Sequence, residues 1–175
     1  GGVAHEIRNP LGGIEIYAGL IADDLPEGDE RKEHIQKVRQ EVRKLDQVIS
    51  DFLNFARPAP PVAESVSVEP LVADAAFLLQ PDMERAGVTY LSDIAEGVRL
   101  YADPEQVKRM LFNLMKNAVQ VMHDGGTLMV RARLERNAVN IEVADSGPGI
   151  SESVRAQLFE PFFTTREKGS GLGLA

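Results

Sequence analysis

The chain contains no cysteine, no tryptophan and only three histidines. Without cysteine there is no disulfide framework and no thiolate nucleophile or metal ligand. No stretch approaches the roughly 20 consecutive apolar residues that a membrane-spanning helix needs. No amino-terminal run reads as a secretory signal. Positive charge is not in excess either: 27 acidic residues against 19 basic ones leave a formal net charge of −8. That balance argues against nucleic acid as the main partner, because phosphate backbones call for a basic face. These absences predict a soluble cytoplasmic piece, with any membrane anchor lying in segments outside it. What is present is enough to fold. Of 175 residues, 43% are hydrophobic and 26% charged, as in ordinary soluble chains, and the length allows one domain or two small ones.

The first part of the chain, residues 1–57, reads as two helices. Apolar residues fall at Val3, Ile7, Leu11, Ile14, Ala18, Ile21 and Leu25, then at Ile35, Val38, Val42, Leu45, Ile49 and Phe52. Steps of three and four dominate both series, the pattern of a helix-packing seam. Pro26-Glu27-Gly28-Asp29 breaks the two apart, so they form a helical hairpin. Two helices give a thin core while the seam is long. The pattern therefore predicts pairing with a second copy into a dimeric four-helix bundle; packing against the rest of the same chain is the alternative. Residues 58–63, which hold Pro58, Pro60 and Pro61, read as a linker.

Residues 64–175 alternate. Short strands are expected at 66–68, 88–94 and 98–101, and a helix from Glu69 to Arg85 with Pro70 in its first turn. Asp103-Pro104-Glu105-Gln106 is a strong helix start, with a capping aspartate, a proline at the first helical position and a glutamine for the capping box. That helix runs to about Met122. Residues 128–134 and 139–144 form a hairpin around Arg136-Asn137, and a short helix follows near Glu152. The expectation is a mixed unit of adjacent antiparallel strands with its helices on one face.

His5 stands out within Ala4-His5-Glu6-Ile7-Arg8-Asn9-Pro10-Leu11. It lies two residues from both Val3 and Ile7, so at about 100° per residue it falls away from the apolar seam. A solvated surface histidine is the plain reading. Three neighbours argue for more. Glu6 can accept a proton from one ring nitrogen and so make the other more nucleophilic. Asn9 lies one turn along on nearly the same face. Pro10 removes the hydrogen bond to the Glu6 carbonyl inside an otherwise regular helix.

Here the sequence resembles a known family. His5 to Leu11 is similar to the H box of bacterial sensor histidine kinases. Asn113-Leu114-Met115-Lys116-Asn117-Ala118 resembles the N box, Asp145-Ser146-Gly147-Pro148-Gly149-Ile150 the G1 box, Phe159-Glu160-Pro161-Phe162-Phe163 the F box, and Gly169-Ser170-Gly171-Leu172-Gly173-Leu174 the G2 box. A lone glycine-rich run is weak evidence; these motifs in this order span almost the whole chain. The resemblance implies a HisKA-type dimerisation and phosphoacceptor hairpin. After it comes a HATPase_c unit, an α/β two-layer sandwich of the Bergerat (GHKL) type shared with Hsp90, DNA gyrase and MutL. It also implies more helix before the H box and a helix and strand after the G2 box, so the fold is expected to be C-terminally incomplete.

The resemblance implies roles that the residue chemistry accommodates. Asn113 and Asn117 are one turn apart on one helix face. Asn117 is similar to the family's Mg²⁺ ligand, and an amide oxygen suits that hard cation; Asn113 resembles its companion beside the phosphates. Two solvated amides are the plain alternative. The family often carries a basic residue three positions after the second asparagine; here that position is Gln120, and Lys116 is the candidate substitute. Asp145 resembles the reader of the adenine amine, and Gly147 and Gly149 let backbone approach the base. Ile150 belongs to the same motif. Phe159 reads as core, whereas Phe163, Thr164, Thr165, Arg166 and Lys168 resemble the start of an ATP lid whose two cations face phosphate. Gly169, Gly171, Leu172 and Gly173 close it with backbone N–H groups. It is not a Walker loop, since no Gly-Lys-Ser/Thr ending is present. His34 and His123 receive no role.

The reading is thus a homodimeric histidine kinase core. It would bind ATP and Mg²⁺, phosphorylate His5 with Glu6 as base, and pass the group to an aspartate of a response regulator. Asn9 resembles the water-positioning residue of the family's phosphatase motif, which implies the reverse activity as well. Two alternatives are a conformational ATPase of the Hsp90 or MutL type and a non-catalytic dimerisation module with a degenerate nucleotide site. Acid-labile, base-stable labelling separates the first, and failure to bind an ATP analogue marks the second.

Overall fold

The computed structural model describes residues 2–56, 60–165 and 171–174. Side chains are described from residue 7 onward, apart from those of Gln47, Asp51, Asn54 and Phe55. The chain divides into two compact units, Gly1–Ala59 and Pro60–Ala175. Part of the expected linker, Pro58 and Ala59, lies outside the described residues.

The first unit is the helical hairpin. Helix α1 spans Gly2–Asp24 with Pro10 inside it, and α2 spans Arg31–Ala56. Between them Gly28 takes a φ of 84° that a side chain would resist. Asp29 starts α2 by accepting the Arg31 amide at 2.9 Å and the Arg31 guanidinium at 2.6 Å. The pairing with Arg31, first through its side chain and then through its amide, lowers the Asp29 carboxyl to about 2. Ala18 and Val42 are the fully buried apolar residues of this unit among those described. Ile7, Ile14, Ile21, Val38, Leu45 and Phe52, all seam positions, remain substantially exposed.

The second unit begins with β1 (Glu64–Ser67) and α3 (Val68–Ala86), followed by β2 (Val88–Ile94) and β3 (Arg99–Ala102). It continues with α4 (Pro104–Val121), β4 (Gly126–Glu135), β5 (Ala138–Asp145) and α5 (Glu152–Arg155). Gly87 ends α3 in the left-handed region at φ 69°, its amide returning to the Glu84 and Met83 carbonyls. The β4–β5 hairpin turns at Arg136-Asn137 as expected, with Glu135 opposite Ala138.

The strand pairing corrects one expectation. β2 and β3 are consecutive yet do not pair. β1 and β3 form an antiparallel ribbon, while a second sheet runs in the order β2-β4-β5 with β2 and β4 parallel. After Ala95 donates its amide to the Ala132 carbonyl at 3.0 Å, the chain turns through Gly97 and leaves the sheet. The Val98 carbonyl then takes the Val68 amide at 3.1 Å and β3 joins β1. The excursion through β3 and α4 supplies the crossover that parallel strands require.

The core lies between one face of the β2-β4-β5 sheet and the helices α3 and α4. Leu79, Leu111, Met115, Met122, Leu128, Val68, Val72 and Val130 are its fully enclosed side chains. The opposite sheet face carries ion pairs, Arg133 with Asp93 and Arg131 with Glu142 at 3.4 Å, beside the apolar Leu91 and Met129. This is the expected two-layer sandwich.

Candidate nucleotide site and phosphoacceptor helix

Helix α4 organises the second unit's site. Its start is fixed by Asp103, whose Oδ1 accepts the amides of Glu105 at 2.9 Å and Gln106 at 3.2 Å. The other carboxylate oxygen, Oδ2, accepts the amide of Val62 at 2.9 Å. The Val62 hydrogen bond, followed by those within the cap, holds the Asp103 carboxyl below the usual range. Leu111, Met115, Ala118 and Val119 turn one side of α4 into the core, so Asn113, Lys116 and Asn117 fall outside it, half-buried.

Three of the sequence motifs meet around that helix. The Asn113 side-chain Nδ2 donates to the Gly173 carbonyl at 3.1 Å, joining the N-box helix to the last glycine run. Lys116 extends over the Phe112 ring, its Nζ 5.5 Å from the centroid, a cation–π contact. Asn117 lies one turn beyond Asn113. At the end of β5, the exposed Asp145 accepts the Gly147 amide on Oδ1 at 2.9 Å, which fixes the carboxylate. A Cβ on Gly147 would stand 2.7 Å from that Oδ1 and 3.0 Å from Val121. Gly149 takes φ 77°. Ser146 is engaged structurally: its Oγ accepts the Thr127 amide at 2.9 Å and its own amide donates to the Thr127 carbonyl at 3.1 Å.

The lid candidate has a defined base. The Phe162 amide donates to the Gly171 carbonyl at 2.9 Å. Phe162 itself sits at φ 67° and Gly171 at φ 65°. A Cβ at Gly171 would lie 2.4 Å from the Phe162 carbonyl carbon. Leu172 is buried, Phe163 half-buried, and Ile150, Thr164 and Thr165 are exposed. Arg166, Lys168 and Gly169 lie outside the described residues. Phe159 corrects the core expectation: it is 71% exposed, because α5 buries no residue and the turn after it stands clear of the helix–sheet core.

A bound Mg²⁺ is compatible with this donor set. Among the described residues no group of three or more His, Cys, Asp or Glu is placed to hold a metal. Mg²⁺ is commonly bound through one or two protein oxygens plus substrate phosphates and water, and the amide oxygens of Asn117 and Asn113 fit that habit.

In the first unit, His5 and Glu6 lie in α1, and their side chains are outside the described set. Asn9 is exposed, four residues from His5 and so on the same face of the helix. Arg8 reaches across the hairpin, its Nη2 donating to Ser50 Oγ at 2.8 Å and its Nε standing 3.4 Å from Asp46 Oδ1. Sequence reasoning missed Arg8, the second oxygen of Asp103 and the Phe162–Gly171 clasp. Only the last left a linear signal, a glycine following an aromatic cluster.

Two family models match the chain: the His Kinase A (phospho-acceptor) domain over residues 1–61, and the histidine kinase-, DNA gyrase B- and HSP90-like ATPase over residues 102–175. The chain belongs to the sensor histidine kinases. This kinase core is 33% identical to sporulation kinase E of Bacillus subtilis over 175 residues, 99% of this chain and 23% of the relative. It is 35% identical to the sensor histidine kinase ZraS of Salmonella typhimurium over 176 residues, 99% of this chain and 38% of the relative. The chain thus spans well under half the length of these curated relatives. Among solved structures, full-length ShkA in complex with AMPPNP matches 98% of the chain and 38% of its own, with a TM-score of 0.82 at 27% identity. Histidine kinase ThkA in complex with the response regulator protein TrrA matches 93% of the chain and 49% of its own, with a TM-score of 0.69 at 25% identity. No helix among the described residues is long and apolar enough to cross a membrane.

Proposed function

We propose that this core transfers the γ-phosphoryl group of ATP to His5 and then to an aspartate of a response regulator receiver domain. The observation that carries the reading is the Asn113–Gly173 hydrogen bond. It draws the N-box helix and the G2 run together, with the Asp145 carboxylate pre-set by the Gly147 amide on the neighbouring strand end. In this reading Asp145 Oδ2 accepts from the adenine amine. Gly147, Gly149 and Ile150 face the base. Asn113, Lys116, Thr164, Thr165, Arg166, Lys168 and the amides of Gly169, Gly171, Leu172 and Gly173 serve the phosphates and close the site with Phe163. Asn117 would hold Mg²⁺, which neutralises phosphate charge when bound.

The transfer is a displacement at phosphorus. A ring nitrogen of His5 forms the P–N bond as the bond to the β–γ bridging oxygen breaks and ADP departs with the electron pair. Glu6 accepts the proton from the imidazole. A receiver carboxylate next takes the phosphoryl group; the P–N bond breaks with its electron pair left on nitrogen, and the imidazole regains its proton from Glu6. For the reverse activity, the Asn9 amide orients a water toward the receiver's acyl phosphate, releasing inorganic phosphate and the free carboxylate.

Two surface features support the partners. The exposed seam residues Ile14, Ile21, Val38 and Leu45 suit a second copy of the hairpin. On α1, Ile16 and Leu20, 64% and 56% exposed, continue the His5–Asn9 face at helical spacing and offer an apolar landing for a receiver. Replacing His5 with Gln is expected to abolish incorporation of label from γ-labelled ATP while an ATP analogue still binds. Labelling that persists in the variant, or label that is acid-stable, overturns the reading.

A further inference from the structure

We propose that Arg8 is a positioning residue for phosphoryl transfer, clamping the His5-bearing end of α1 to α2 through Asp46 and Ser50. The inference rests on the reading of His5 as phosphoacceptor. One guanidinium makes both contacts: Nη2 donates to Ser50 Oγ at 2.8 Å, and Nε faces Asp46 Oδ1 at 3.4 Å. Asp46 and Ser50 are one turn apart on α2, so the fork grips two successive turns of the neighbouring helix. About two turns further along α1, Glu15 accepts from Arg43 of α2 at 2.7 Å and forms a second rung.

The place of the clamp gives it meaning. Pro10 lies inside α1 and has no N–H to offer the Glu6 carbonyl, so the turn from Glu6 to Pro10 lacks its axial hydrogen bond. Arg8 sits inside that turn. Apolar burial does little to hold it: Ile7 is 41% exposed, and Ala18 is the fully buried residue of α1 among those described. The lateral tie to α2 therefore stands in for the missing axial one. It fixes the rotation of the turn that carries His5, Glu6 and Asn9 together. Arg8 touches no reacting atom in this proposal; it acts through the helix.

The pair is half-exposed, and exposed ion pairs shift a local equilibrium by at most about fivefold. In the full-length protein, Arg8→Ala and Asp46→Ala are each expected to lower kcat for His5 labelling by about three- to fivefold. KM for ATP should stay unchanged, as should the melting temperature and oligomeric state. Arg8→Lys, which keeps charge but loses the fork, should fall between. The exchanged pair Arg8→Glu with Asp46→Arg should recover most of the rate, which also guards against a variant that merely misfolds. Wild-type kcat in Arg8→Ala overturns the proposal. So does a loss at Arg8 that Asp46→Ala does not share or the exchange does not recover, since Arg8 would then act on phosphate directly. No label on wild-type His5 removes the phosphoacceptor reading itself, and the clamp's function with it.

Discussion

The two units of this chain solve stability in opposite ways. The α/β unit encloses large side chains such as Leu79, Leu111, Met115 and Leu128 between two helices and a sheet. The hairpin fully encloses Ala18 and Val42 among its described residues, half-buries Leu11, Leu25, Ile35 and Ile49, and leaves the other described seam positions exposed. Across its surface run the pairs Arg8–Asp46 and Glu15–Arg43, and such pairs are individually weak. The lesson is that the α/β unit carries a core of its own, whereas the hairpin, in the proposed reading, completes its core with a second copy. A helix pair that shared its core with a second copy would have its shape set by how that copy docks.

The largest effect that would break this contrast is in the sandwich. Leu111→Ala empties a fully buried position and should destabilise the α/β unit by about 2–5 kcal/mol, read from its urea midpoint with hairpin helicity unchanged. Should the midpoint stay put, the unit does not rest on that core. Next comes the seam. Leu45→Asp, at a position left 53% exposed in one hairpin, should weaken dimerisation by about two decades. Light scattering would report it, and binding of an ATP analogue should be untouched. A variant that stays dimeric shows that the open seam is not the contact. Smaller still, Asp145→Asn should weaken analogue binding by about 10- to 100-fold in calorimetry without altering melting. Equal affinity would remove Asp145 from base recognition.

Much of this contrast is legible in the sequence, for reasons specific to each element. The cap at Asp103, the turn at Arg136-Asn137 and the stop at Gly87 are local chemistry, so residue type and spacing suffice. The three–four periodicity of the hairpin reports its seam, and the seam's length against the thinness of two helices points to a partner. Strand pairing was not legible, because period tells which face a strand buries and not which neighbour it meets; β2 lies beside β4 only because Gly97 turns the chain away. Phe159 misled for a related reason. Aromatic content does not say whether an element comes back to cover it. Within the site, the join of Asn113 to Gly173 needed the fold, since nothing local links residues that far apart.

The smallest expected effect is one of pH and belongs to the hairpin. Asp29 is held at about 2 against an ordinary 3.8, mainly by Arg31. A carboxyl lowered on folding stabilises above its ordinary value, and that contribution fades as pH falls from 3.8 through 2. The hairpin's melting temperature should therefore decline through this acid window, and Asp29→Asn should flatten that part of the profile. A parallel decline in the variant would assign the effect elsewhere.

The clasp between Phe162 and Gly171 has a consequence for how this chain can vary. Because its two ends are already joined, the stretch between them is a ring, and lengthening a ring is cheap: each doubling costs only about 0.6 kcal/mol of closure entropy. The turn at Arg136-Asn137 has less latitude, since in a hairpin the loop length and turn type set the register of the paired strands. Insertions and deletions should therefore accumulate between Phe162 and Gly171 across related chains while the β4–β5 turn keeps its length. The stretch most free to change in size is the one proposed to close over the phosphates.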